Sequence, residues 1–267
     1  MHKPIVIALF NQAGGVGKTT LTQNLGYHLS QKKYRVLLVD LDPQASLTSF
    51  MGLEPSDLPT TIYHSLVREE PLRDTEVSPP IYNQYPNLDL VPANLLLANA
   101  EQQLIFTPLR EYRLKNVLEP LFNKYDYILL DCPPSLGMLS LIALVASRYV
   151  LVPIQTQFKA TVGTDSLLST VHKTKKQINP ELEILGFIPT QFSKINKTEQ
   201  RVLELLHEQL SVVAPIFSPL PRTTAIAEAT EYGQPFALTP KSGKAIKNLF
   251  DEYTTQIESL THTVAYV

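Results

Sequence analysis

Residues 11–20 read Asn-Gln-Ala-Gly-Gly-Val-Gly-Lys-Thr-Thr and follow the apolar run Ile5–Phe10. A glycine-rich turn lets backbone N–H groups converge on phosphate oxygens, and the helix that follows adds its positive end. Gly14, Gly15, Val16, Gly17, Lys18, Thr19 and Thr20 are therefore the candidate nucleotide-binding residues. Lys18 is expected to reach the β- and γ-phosphates, and the Thr19 hydroxyl to ligate Mg²⁺. A strict loop of this kind opens on glycine, a position held here by Gln12.

Two segments add carboxylates. Val36–Val39 reads as a buried strand and runs into Asp40-Leu41-Asp42-Pro43-Gln44. Ile128-Leu129-Leu130 likewise ends in Asp131, ahead of Cys132-Pro133-Pro134. Acids at the C-terminal ends of parallel strands lie on the edge where open α/β sheets bind ligands. One such acid can hold a metal-bound water while another orients the attacking water. Helix capping or a solvated turn would use the same residue types. Cys132 has no histidine near it in sequence and reads as a small buried residue.

The elements that must carry these residues follow from the pattern. Apolar runs at Ile5–Phe10, Val36–Val39, Leu88–Val91, Tyr127–Leu130, Tyr149–Val152, Glu183–Ile188 and Ile216–Leu220 predict strands. Helical periodicity over Lys18–Ser30, Arg110–Phe122, Leu139–Ala146, Thr161–Gln177, Lys197–Leu210, Thr224–Tyr232 and Ser242–Leu260 predicts the helices between and after them. That alternation predicts an α/β fold: a mostly parallel twisted sheet with helices on both faces. The proline-rich stretch Ser78–Pro86 reads as a surface loop, so residues 1–267 are expected to form a single domain.

Composition narrows the class. The chain has 267 residues, 44% hydrophobic and 18% charged, enough for a large core. Its net charge of -2 gives no overall sign of a polyanion partner, yet residues 171–250 hold 10 Lys/Arg against 7 Asp/Glu. A single cysteine excludes an intramolecular disulfide and fits a reduced, cytoplasmic protein. Ile5–Phe10 is too short for a signal peptide, and no stretch of about 18 apolar residues predicts a membrane span.

The three chemistry-bearing segments, in this order, resemble the ParA/MinD family of deviant-Walker P-loop ATPases, on its ParA side. The family pattern is Lys-Gly-Gly-x-Gly-Lys-Thr, then Asp-x-Asp-Pro-Gln, then Asp-x-Pro-Pro. Val152-Pro153-Ile154-Gln155 resembles a fourth landmark. Leu220-Pro221-Arg222, with Ala227-Glu228-Ala229 and Gly233-Gln234-Pro235, resembles the segment near the base. The resemblance implies ATP and Mg²⁺ as cofactors and a slow, partner-stimulated ATPase. It assigns catalysis to Lys18 and Asp42, metal support to Thr19, Asp40 and Asp131, and base contacts to Pro221 and Gln191. It further implies an ATP-sandwich homodimer, non-specific binding of double-stranded DNA in the ATP state, and release by a ParB-like or McdB-like adaptor. The cargo positioned over the nucleoid would be a plasmid, a chromosome locus or a protein organelle such as a carboxysome. An ATP-gated dimeric scaffold with negligible hydrolysis is the alternative.

The sequence departs from the family at Ala13, where the pattern carries a lysine that crosses the dimer. Transition-state charge needs compensation wherever it is supplied from. Lys3, Lys32 and Lys33 fall at the wrong edge of the sheet, whereas Lys159 follows the Tyr149–Val152 strand on the correct one. Lys159 is the candidate that acts in trans, beside the readings that it is an ordinary surface lysine and that the chain hydrolyses poorly or by a different arrangement; the loss of the first lysine resembles the McdA type. For DNA, the family's region points to Arg222, Lys241, Lys244 and Lys247, a set suited to backbone contacts without base readout. Residues 251–267 hold three acids and no Lys/Arg, which disfavours the basic amphipathic membrane helix of the MinD branch.

Other nucleotide-using classes fit less well. Asn196-Lys197-Thr198-Glu199 imitates a guanine-reading Asn-Lys-x-Asp but ends in Glu, and reads as a helix start capped by Asn196 or Thr198. An iron–sulfur reductase of this fold needs several cysteines. Amidation enzymes of the cobyrinate type usually carry further catalytic domains.

Overall fold

The computed structural model describes residues 3–68 and 79–262, apart from the side chains of residues 158–162 and of Ala227. Seven strands form one sheet in the order β3-β4-β2-β5-β1-β6-β7. They are β1 (Ile5–Leu9), β2 (Val36–Asp40), β3 (Tyr82–Tyr85), β4 (Leu88–Val91), β5 (Tyr127–Asp131), β6 (Tyr149–Gln155) and β7 (Glu183–Thr190). Every pairing is parallel except β3 with β4. β2 and β5 are buried at every residue, as continuous apolar strands covered on both faces must be.

The helices are α1 (Lys18–Gln31), α2 (Ser46–Phe50), α3 (Ile62–Leu66), α4 (Leu97–Leu104), α5 (Arg113–Leu118), α6 (Met138–Ala146), α7 (Phe158–Gln177), α8 (Lys197–Leu210), α9 (Thr224–Glu231) and α10 (Lys244–His262). One face of the sheet buries Leu21, Leu25 and Leu29 of α1 with Phe250, Tyr253 and Ile257 of α10. The other buries Leu104 of α4, Leu114 of α5, Ile142 of α6, Leu167 of α7 and Val202 of α8. Helices therefore cover both faces, as the alternating pattern predicts.

Three expectations are corrected. The stretch around Ser78–Pro86 contains β3, a four-residue edge strand that pairs with β4 across a bulge; Ser78 itself lies outside the described residues. Ile216–Leu220 is not a strand. It joins β7 by the isolated bridges Phe187–Ile216 and Phe192–Pro221 and by bonds from Phe217 N–H to the Phe187 carbonyl and from Leu220 N–H to the Pro189 carbonyl, but Pro215, Pro219 and Pro221 lack the N–H a continuous ladder needs. The helix expected over Arg110–Phe122 shrinks to α5, with tighter 3₁₀ turns at Arg110–Tyr112 and Glu119–Leu121, the second holding Pro120.

Candidate active site

β1 and β5 are paired through Leu9 and Asp131, and β2 and β5 through Asp40 and Asp131. The C-terminal ends of three adjacent central strands thus deliver the glycine-rich loop and both acidic segments to one edge. There they border a cleft of about 540 Å³. Its walls include Gly14 through Thr20, Asp42, Gln191 and Pro221, so most of the expected residues meet in one cavity.

The loop is built to present N–H groups. Gly17 adopts φ 90°, a left-handed conformation that glycine takes without strain. It caps α1 with no side-chain hydrogen bond, so the first-turn amides of α1 stay free for an anion. Lys18 is buried, and its Nζ donates to the Ala13 carbonyl at 2.9 Å, spanning the loop from within. Burial lowers the Lys18 pKa, while Asp131, Cys132 and Asp42 pull it back up. The lysine therefore meets an incoming phosphate as a dehydrated charge already balanced by acids below it.

Asp131 is fully buried. Its Oδ1 accepts the Thr22 hydroxyl at 3.3 Å, and its Oδ2 has no hydrogen-bond partner. Burial, then the adjacent Asp40, raises its pKa well above the ordinary carboxylate value; the Thr19 hydroxyl and Lys18 oppose that shift. An orphaned buried carboxylate oxygen beside Thr19 fits a hydrated divalent cation. Thr19 and Asp131 are the residues that would hold Mg²⁺, directly or through water. When bound, the ion would neutralise charge on the transferred phosphoryl group.

Asp40, expected to support the metal, accepts three hydrogen bonds. Its Oδ1 accepts the Asp42 N–H at 3.1 Å, and its Oδ2 accepts the Thr48 N–H at 2.8 Å and hydroxyl at 2.7 Å. These bonds fix the turn that carries Asp42 and the start of α2. Burial raises its pKa to about 6, against the hydrogen bonds from Thr48 and Asp42. Asp42 is half-buried on the cleft wall, and among the described residues its side chain accepts only the Gln44 N–H, at 2.9 Å. One of its oxygens remains available to a water.

The side of the cleft around Pro221 holds residues that sequence reasoning did not place there. Leu220, Thr223, Ile226 and Thr230 line it with Pro221, and Ser46 and Phe50 face them from α2. Arg222, expected at a DNA surface, instead lines this cleft, and its guanidinium pairs with Glu199 at 3.1 Å. Lys241 pairs with Glu228 at 2.7 Å. Lys244 is exposed and Lys247 half-buried on α10. The Lys159 side chain lies outside the described residues. Asn196 caps α8, accepting the Thr198 and Glu199 N–H groups, which accounts for the Asn-Lys-Thr-Glu segment as a helix start.

The fold and the cleft define a P-loop nucleotide hydrolase. Residues 5–184 match the family AAA_31, described as an AAA domain. The sporulation initiation inhibitor protein Soj of Bacillus subtilis is 39% identical over 235 residues, covering 87% of this chain and 90% of its own length. The chromosome partitioning protein ParA of Myxococcus xanthus is 38% identical over 234 residues, 87% of this chain and 81% of that protein. A crystal structure of cobyrinic acid a,c-diamide synthase from Mycobacterium smegmatis with bound ADP and magnesium is similar at TM-score 0.75 and 36% identity. It covers 86% of this chain and 92% of that one. The chain belongs to the ParA/MinD family of P-loop ATPases.

Proposed function

We propose that the chain binds ATP with Mg²⁺, dimerises on it, binds double-stranded DNA non-specifically in that state and positions a cargo over the nucleoid. The observation that carries this reading is the uncapped N-terminus of α1 facing a cleft that also gathers Lys18 and Asp42. The name chromosome partitioning protein, borne by a relative 38% identical, supports the positioning part. In this reading Lys18 and the loop amides hold the β- and γ-phosphates, Asp42 orients the attacking water, and Asp40 keeps Asp42 in place. Pro221 and Gln191 border the base.

Amidation, the activity named for the Mycobacterium smegmatis relative, finds less support. Cys132 is 1% exposed and burial raises its thiol pKa, the opposite of an activated nucleophile for drawing ammonia from glutamine. For DNA, Lys244 and Lys247 carry the proposal, because Arg222 and Lys241 are each engaged by an acid. Lys159 acting across the dimer remains the proposed substitute for the lysine absent at Ala13, and a ParB-like or McdB-like adaptor the proposed stimulator.

The test is fluorescence anisotropy of a random-sequence duplex with and without Mg-ATP, from low to high salt. Binding that requires ATP and weakens steeply with salt is expected. Equal binding in both nucleotide conditions contradicts the switch. Lys159→Ala is expected to lose ATP-dependent dimerisation in light scattering, and a dimer of unchanged affinity rejects that role.

A further inference from the structure

Phosphate-binding loops work only when successive N–H groups face inward. Within one peptide unit the C=O and the next N–H point in opposite directions. A carbonyl held outward therefore aims the following amide into the cleft. In this chain two consecutive loop carbonyls are held outward by side chains from the ends of β6 and β7.

The Gly15 carbonyl accepts the Gln155 Nε2 at 2.9 Å and the Gln191 Nε2 at 2.8 Å. The next carbonyl, of Val16, accepts the Thr190 hydroxyl at 2.9 Å. These bonds orient the Val16 and Gly17 amides. Gly15 sits at φ 69°, and a Cβ there would lie 3.9 Å from the Gln155 amide nitrogen. Gln191 adopts φ 56°, a left-handed conformation uncommon for a residue with a side chain. Backbone on both sides fixes it: Thr156 N–H donates to the Thr190 carbonyl at 3.2 Å and Phe192 N–H to the Leu220 carbonyl at 3.1 Å. The strained turn places the Gln191 amide on Gly15.

The loop entrance is tied to the same elements. Asn11 Nδ2 donates to the Pro153 carbonyl at 2.7 Å, and Gln12 Nε2 to the Gly163 carbonyl of α7 at 3.1 Å. Gln12 stands where the strict loop has glycine, and its side chain anchors the loop to α7.

We infer that Gln155, Gln191 and Thr190 are positioning residues that preset the loop amides for a polyphosphate, with Gln155 and Gln191 acting as mutual backups on one carbonyl. This rests on the nucleotide reading above. A carbonyl oxygen has two lone pairs, so either glutamine alone keeps Gly15 turned outward. Removing both frees the peptide to rotate.

The test uses Gln155→Met, Gln191→Met, the double variant and Thr190→Val, which keep shape and remove donors. Affinity is read by titrating a fluorescent methylanthraniloyl-ATP with Mg²⁺. Inorganic tripolyphosphate, which lacks base and ribose, then serves as the displacing competitor. Each glutamine variant is expected to bind about 3-fold more weakly, and the double variant at least about 30-fold, beyond the product of the singles. Thr190→Val is expected to lose about 5-fold. The losses appear with tripolyphosphate too, and the melting temperature without nucleotide stays near wild type. A role in folding alone lowers that melting temperature without the excess loss in the double variant, and overturns the inference. So does a double variant that binds within about 2-fold of wild type. If the double variant does not fold, a Thr190→Val affinity equal to wild type is overturning by itself. Wild-type protein that binds neither probe instead removes the nucleotide reading.

Discussion

Asp40 and Asp131 are register partners on β2 and β5, both sealed from solvent, yet of the two only Asp131 keeps an oxygen without a partner among the described residues. Their neighbours separate their roles. Thr48 and the Asp42 N–H occupy Asp40, so it shapes the turn, whereas Asp131 faces Thr19 and Lys18 with spare capacity.

Asp131→Asn is expected to stabilise the nucleotide-free protein and to lower Mg²⁺-dependent hydrolysis about 10- to 100-fold. The sign follows from the raised pKa. In the window above the unfolded value, 3.8, the folded acid binds more protons than the unfolded one, so stability falls as pH rises. Melting curves from pH 5 to 7.5 are expected to fall in wild type relative to the Asn variant. Parallel curves reject the assignment.

Asp42→Ala is expected to reduce phosphate release about 100-fold or more while nucleotide affinity stays within about 3-fold. Its side chain accepts one local N–H, from Gln44, so the fold loses little. A large loss of affinity would make Asp42 a binding residue instead.

His28 of α1 and Asp251 of α10 supply a pH dependence away from the cleft. His28 Nδ1 lies 2.8 Å from Asp251, its Nε2 is buried without a partner, and its ring stacks on Phe250. Burial lowers the His28 pKa, the Asp251 bond raises it, and Lys247 and Lys32 lower it further. The unfolded histidine therefore binds more protons below its ordinary value of 6.5, and stability is lost as pH falls through it. Wild type is expected to lose more melting temperature between pH 7.5 and 5.5 than His28→Gln. Equal losses count against the pair.

Gly186→Ala is expected to destabilise the fold by about 1–3 kcal/mol in urea titration. A Cβ there would meet Phe217 Cε2 at 2.4 Å and the Pro215 carbonyl at 2.8 Å. The segment it displaces leads to Leu220 and Pro221, so ATP affinity is expected to fall with it. Unchanged affinity in folded variant protein would mean that Pro221 is positioned independently of β7.

Legibility in the sequence followed locality. The positions of the loop, Asp42 and Asp131 at one edge of the sheet were readable because each is a short motif at the end of an apolar run. The helix start at Asn196 was readable for the same reason. Arg222 was not, because its partner Glu199 lies on another helix and only the fold aims it into the cleft. The Gln12 bond to Gly163 joins residues 151 positions apart, a distance no local pattern encodes. β3 escaped because prolines flank a four-residue edge strand whose register only β4 supplies. Ile216–Leu220 misled because its apolar content resembles a strand while its prolines forbid the ladder.

The two sides of the cleft are attached to the molecule very differently. The side with the glycine-rich loop hangs from β1, β5 and β2, the middle of the sheet. The other side lies along the edge strand β7, through the bridges Phe187–Ile216 and Phe192–Pro221 and through backbone bonds from Phe217 N–H to the Phe187 carbonyl at 2.9 Å and from Leu220 N–H to the Pro189 carbonyl at 2.8 Å. One wall of the cleft is thus set by the centre of the sheet and the other by its edge. Hydrogen exchange is expected to be faster at the Phe217 and Leu220 amides than along β1 and β5, and equal protection would mean that both walls open only together.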